Sequence, residues 1–290
     1  MNKIKTKVNK DTNYIFHMLS VAKCGYDNSY GERYRNLHKA DDLNILKKYE
    51  KLITVKGGEY CGELYSLLVA VPACGACSAK EYYTNILSQF QAEPIPDLIN
   101  EYTEFKTPAI EIATVMAENY AIYETVWKKS EKKLLEYAEQ IEEMFADSGF
   151  TEKCEKQVGQ KLKSEYFFAT FTNSVAYGPE AIDISEDHDM FGIDRTLEDA
   201  FFFIGHEFII YLLMESLKET DAFQSYETWS LTEGLAEFYL IKLMGDSRFF
   251  NEQLKYAGFY KECFEKNPAL SAKELFLTAE EKYCGKTPDE

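Results

Sequence analysis

The run Ala200–Met214 constrains this chain more than any other segment, because it is apolar on every turn yet carries His206 and Glu207 at its centre. Its apolar residues recur at all helical positions rather than on one stripe, so the segment reads as a helix from Leu197 to Leu217 buried on most faces. Asp194-Arg195-Thr196 precede it, and Thr196 with Asp199 has a capping-box-like spacing. The run is too short to span a bilayer and acidic residues flank it. Burying an imidazole and a carboxylate there costs on the order of several kcal/mol unless they find partners or line a cavity. The fold must supply those partners, which marks His206 and Glu207 as candidate site residues.

The chain has 290 residues, enough for one large domain or two modest ones. Its 46% hydrophobic and 15% aromatic content argues for a folded globular protein. A net charge of −17 repels phosphate backbones and anionic lipid, so neither nucleic acid nor a membrane surface is expected as a partner. The basic N-terminus is followed by no continuous apolar stretch or small-residue cleavage site, which predicts a cytoplasmic protein. Seven cysteines, an odd number, fit reduced thiols better than a disulfide framework. Cys74 and Cys77 form a single CxxC, and the remaining cysteines are too scattered to complete a zinc ribbon.

Residues 13–70 are mostly helical in pattern, with Leu43, Leu46, Tyr49 and Leu52 at helical spacing. Gly57-Gly58 breaks this segment before an apolar helix expected from Cys61 to Val71. A short helix follows over Ala79–Phe90. Pro108 then opens a long helix to about Ala146, whose stretch from Lys128 to Glu143 reads as a solvated face. Asp147-Ser148-Gly149 closes it. Beyond this point Tyr166–Thr172 is aromatic and β-branched and reads as a strand, while Ala181–Ser185 alternates like a half-buried strand. The two strands are expected to pair across a turn at residues 173–179. The expected organisation is a helical N-terminal region over residues 1–150 and a second domain over 151–290.

Downstream of the buried helix lies Thr232-Glu233-Gly234-Leu235-Ala236-Glu237, again helical in pattern. Two histidines four residues apart on one helix share a face and can take two metal positions, with the glutamate after the first activating water. Here the second position is Ile210. The His206-Glu207 segment together with the Glu233 segment resembles the gluzincins, zinc peptidases that join an HExxH helix to a downstream glutamate helix. The resemblance covers roughly Tyr166 to Leu243. With the residue patterns above, the expected fold is α+β and mostly helical: the resemblance implies a gluzincin-like (zincin) unit with a small mixed sheet, and the helical pattern gives the N-terminal region. The resemblance also implies His206 and Glu233 as metal ligands, Glu207 as general base and zinc as the cofactor. Zinc would be weakly held or absent, because an aliphatic Ile210 cannot ligate. The strand around Ile182-Asp183-Ile184 would be the edge strand that pairs with extended substrate.

Two functions follow from that resemblance. One is metal-assisted peptide hydrolysis, with Glu207 as base and a third ligand from elsewhere in the chain. The other is a catalytically inactive pseudopeptidase that binds a peptide or protein partner through the old active-site cleft. Hydrolase or lyase chemistry by Glu207 without metal is a third option. The residues also admit structural readings. Glu233 has capping-box spacing from Ser230, Glu237 can be a supporting or surface acid, and His206 can be a core histidine bonded to a carbonyl. As substitute ligands, His188 is expected in an acidic surface loop, His17 in partly buried packing and His38 at the surface. Tyr256 or Tyr260 could donate to an oxyanion, and nothing in the sequence selects between them.

Overall fold

A computed structural model describes every residue except 1, 57–59, 76, 176–178, 182–186, 247–253 and 286–290. In chain order its elements begin β1 (Ile4–Lys7), α1 (Lys10–Ala22), α2 (Ser29–Tyr34), α3 (Ala40–Lys48), α4 (Glu50–Ile53), β2 (Val55–Lys56), β3 (Tyr60–Cys61), α5 (Val71–Ala73), α6 (Ala79–Gln91) and α7 (Lys106–Ser148). They continue with α8 (Phe150–Val158), β4 (Phe167–Thr172), β5 (Pro179–Ala181), β6 (His188–Gly192), α9 (Leu197–Leu217), α10 (Tyr226–Met244), α11 (Leu254–Lys266) and α12 (Ala272–Cys284). The protein is mostly helical with a small sheet, an α+β arrangement. By compactness the chain divides into a first unit, Thr6–Glu139 with Thr170–Asp194, and a second, Met1–Lys5 with Gln140–Ala169 and Arg195–Glu290.

In the first unit α1 is buried from Thr12 to Ala22, so each of its polar residues needs a partner inside the protein. The Asn9 side chain caps the helix by accepting from the backbone N–H groups of Asp11 and Thr12 at 2.7 and 3.0 Å. Asn13 donates to the Phe171 carbonyl at 2.9 Å, and Tyr14 donates to the carbonyl of Met116. His17 lies between Tyr30 (Nδ1 to Oη, 2.8 Å) and His38 (Nε2 to Nε2, 2.9 Å). His38 continues to Asn119 at 2.8 Å, and Asn119 donates to Asp42 at 2.9 Å. His38, expected at the surface, is therefore a buried member of this chain. Lys39 and Asp41, just after it in the sequence, hide the reason, which is the lateral pairing with His17.

The sheet has the order β1-β4-β6-β5. β1, β4 and β6 are parallel, while β5 runs antiparallel to β6 in the register Pro179↔Phe191, Glu180↔Met190 and Ala181↔Asp189. Burial of β4 and β6 on nearly every residue is what parallel strands covered on both faces require. The strand over Tyr166–Thr172 is present as β4, but its neighbours are β1 and β6. Of the second expected strand, Ala181 belongs to β5, and Ile182-Asp183-Ile184 and Ser185 lie outside the described residues. His188 opens β6 and is buried, not part of a surface loop, and its Nε2 lies 2.5 Å from Thr170 Oγ1. The flanking aspartates masked the strand in the sequence.

The helix expected from Cys61 to Val71 starts later. Tyr60–Cys61 pairs antiparallel with Val55–Lys56, and the helical turns begin with a π-type segment at Ser66–Ala70 that continues into α5. A Cβ on Gly62 would come within 2.4 Å of the Leu52 carbonyl carbon, so the bare glycine backbone permits this close pass of the chain. The long helix expected from Pro108 is α7, and Gly149 ends it in the left-handed region at φ 61°.

In the second unit α9 is the central element, packed against α8, α10 and α12. Thr196 caps it, its Oγ1 accepting from the Asp199 N–H at 3.1 Å. Although α9 is long and apolar enough to cross a membrane, 72% of that stretch is buried inside the protein, as befits a core helix. Phe201 stacks on Phe145 with centroids 4.2 Å apart and meets Phe150 edge-on at 5.6 Å. Gly205, next to His206, faces the Phe150 ring so closely that an added Cβ would lie 2.7 Å from Cζ. That contact seats α9 and fixes where His206 emerges.

Candidate functional site

His206 sits at the middle of α9 and is completely buried. Its partners come from α10. Nε2 lies 2.8 Å from Glu233 Oε2, and Nδ1 lies 2.9 Å from Glu237 Oε1, a contact bent away from a linear hydrogen bond. One helical turn separates the two glutamates, so they share a face of α10 and bracket the imidazole edge to edge. The Glu237 side chain is 0% exposed, whereas that of Glu233 keeps 15% of its surface. The solvent side of the triad is therefore at Glu233.

Several contacts hold α10 in register. Ser225 and Thr228 form a capping box, with the Thr228 N–H donating to Ser225 Oγ at 3.2 Å. The helix thus starts at Tyr226, and Glu233 stands in its second turn, well away from the cap that its spacing from Ser230 suggested. Thr232, buried beside Glu233, donates to the Ala222 carbonyl at 3.1 Å. Tyr260 donates to the Leu231 carbonyl at 3.1 Å and is fully buried, so its hydroxyl is committed to the helix. Tyr256 packs edge-on against Tyr283.

Burial alone would push the His206 imidazole towards neutrality. The hydrogen bond to Glu233 and the close Glu237 carboxylate, reinforced by the charges of Glu233 and Glu207, outweigh it and raise the pKa well above the ordinary histidine value. Glu207 is half-buried on the next residue of α9. In its charged form the ring has a proton on each nitrogen and no lone pair for a metal, so ligation would require deprotonation.

A catalytic zinc site takes three protein ligands and leaves one open position. His206 and Glu233 supply two. Ile210, one turn along α9 from His206, is buried with 3% of its surface exposed and offers only carbon. Among the described residues no group of three or more His, Cys, Asp and Glu side chains is arranged to hold a metal ion. Among the described residues the donor set around His206 therefore stops at two of the three ligands that the gluzincin resemblance implied.

His206, Glu233 and Glu237 are thus brought together, while the histidines weighed as substitute ligands are engaged elsewhere. His188 bonds Thr170, and burial followed by the nearby Lys7 lowers its pKa to about 4. His17 and His38 bond one another, and burial followed by its neighbour holds the His17 pKa at about 3. Cys74 and Cys77 are free, half-buried thiols. The sequence left Glu237 open as a supporting or surface acid. The signal for its role was the i, i+4 spacing from Glu233, which is only informative once Glu233 is known to face His206. Comparison with protein-family models, curated proteins and solved structures finds no match for this chain.

Proposed function

We propose that this protein is a zinc-peptidase-like scaffold that no longer hydrolyses peptides and instead binds a peptide or protein partner. A charged imidazole clamped by two carboxylates then replaces the metal as the link between α9 and α10. The observation that carries the reading is the buried aliphatic Ile210 one turn from His206, where a second imidazole would be needed, beside a His206 whose two nitrogens already face Glu233 and Glu237. A carboxylate behind the non-ligating nitrogen is the support that metal histidines ordinarily have, which is why the arrangement favours descent from a metal site over an ordinary core histidine.

Zinc content decides between this reading and metal-assisted hydrolysis with Glu207 as base. Protein purified without added metal is expected to contain no stoichiometric zinc, and an Ile210→His variant is expected to gain it. Near-stoichiometric zinc in the unaltered protein, with peptidase activity abolished by Glu207→Gln, would establish hydrolysis and refute the proposal. Zinc in neither protein would remove the relation to zinc peptidases as a statement about this site.

A further inference from the structure

The second unit carries a groove that the His206 site does not use. It has a volume of about 530 Å³ and runs between α10 and α11, floored by Phe238, Ile241, Ala257, Gly258 and Phe264. It adjoins a hollow of about 490 Å³ lined by Lys153, Lys156 and Gln157, and the two share Lys242 and Phe264. An apolar trough therefore ends in three lysines, on a chain whose net charge is −17. Lys242 lies over the Phe264 ring, 3.7 Å from its centroid, at the junction of the two. Among the described residues neither Lys156 nor Lys242 has a carboxylate within ion-pair distance, and Glu265, on the groove wall, lies 3.9 Å from Lys261.

Gly258 also lines the groove. It stands inside α11, where glycine costs about 1 kcal/mol relative to alanine. No packing contact explains that cost, because a Cβ there would meet nothing within 4 Å. The open space beside Gly258 belongs to the groove that it lines.

We infer that this groove binds a partner protein's peptide segment in which apolar side chains are followed by aspartate or glutamate. The apolar residues would lie on Phe238, Ile241 and Phe264 across the gap at Gly258, and the carboxylates would face Lys153, Lys156 and Lys242. Charge complementarity selects the acidic end, since an acidic protein repels anionic segments elsewhere on its surface. The inference is independent of the zinc reading, because no residue of the His206 triad lines the groove.

The test is selection of a displayed random-peptide library on the full chain, followed by fluorescence anisotropy of the enriched peptides after labelling. Enriched peptides are expected to join apolar residues to Asp or Glu. Their affinity should fall at least about tenfold, the equivalent of 1.4 kcal/mol, in Gly258→Leu and separately in Lys153→Glu/Lys156→Glu. Both variants should keep the circular dichroism of the parent, and Gly258→Leu, which replaces a glycine inside a helix, should not lower the urea midpoint; the charge-reversal pair leaves the groove floor intact if Gly258→Leu misfolds. Failure to enrich any peptide, enrichment of peptides lacking acids, or undiminished binding to both variants overturns the inference. Laurate binding lost in the same variants, with no peptide enriched, would assign the groove to a monoacyl carboxylate and also overturn it.

Discussion

Replacing Glu237 by glutamine tests whether the His206 triad is a working part of the fold. The side chain keeps its size, so the packing of α10 on α9 is preserved while one of the two carboxylates facing a fully buried imidazole is lost. Breaking a buried ion pair by removing one partner costs about 3–5 kcal/mol, because the remaining charge is left uncompensated. Here Glu233 stays at 2.8 Å from Nε2, so about 2–3 kcal/mol is expected for Glu237→Gln. Glu233→Gln should cost less, since the 15% of that side chain still in water lets solvent replace part of the interaction. Urea unfolding followed by circular dichroism measures both, with His206→Gln and the His206→Gln/Glu237→Gln double variant closing a thermodynamic cycle. A coupling energy above about 1.5 kcal/mol is expected. Strict additivity, or a larger loss from Glu233→Gln than from Glu237→Gln, would refute the argument that a charged imidazole is buried between these carboxylates.

Gly205→Ala should destabilise the protein by about 1–3 kcal/mol, despite the better helix propensity of alanine, because the added methyl would overlap the Phe150 ring; a raised urea midpoint would contradict the packing described for α9. Stability should also fall in mild acid. His17 and His188 have folded pKa values of about 3 and about 4, below the unfolded value near 6.5, so their contribution is complete above pH 6.5 and is lost as the pH falls towards those values. Urea midpoints at pH 7.5 and pH 5 measure that loss, and nitrogen shifts showing either ring protonated in the folded protein at pH 5.5 would rule it out. Tyr260→Phe should cost about 1 kcal/mol by leaving the Leu231 carbonyl one hydrogen bond short, read by the same unfolding assay; an unchanged midpoint would remove this support for α10.

The elements most legible in the sequence were those whose residues carry a local signal. The apolar run of α9, the Thr196 cap, the length of α7 and its end at Gly149, and the aromatic β4 each depend on neighbours within a few positions. Elements stabilised laterally were not legible. β6 begins with His188-Asp189, which reads as solvated loop until the pairing of β6 with β4 and β5 is known. His38 sits among charged residues in the chain, and its burial depends on His17, 21 positions earlier. Glu233 was visible as a candidate and also as a cap residue; the cap at Ser225 decided against the second role.

From its sequence alone this chain had to bury an imidazole and a carboxylate-bearing turn inside an apolar helix, and it had to lack an imidazole at position 210. Those conclusions rest on residue identity, which no packing can alter. Which carboxylates meet His206, and from which side, was settled by how α10 lies across α9. Electrostatic partnership depends on distances of about 3 Å between segments far apart in the chain, and only the tertiary structure sets such distances.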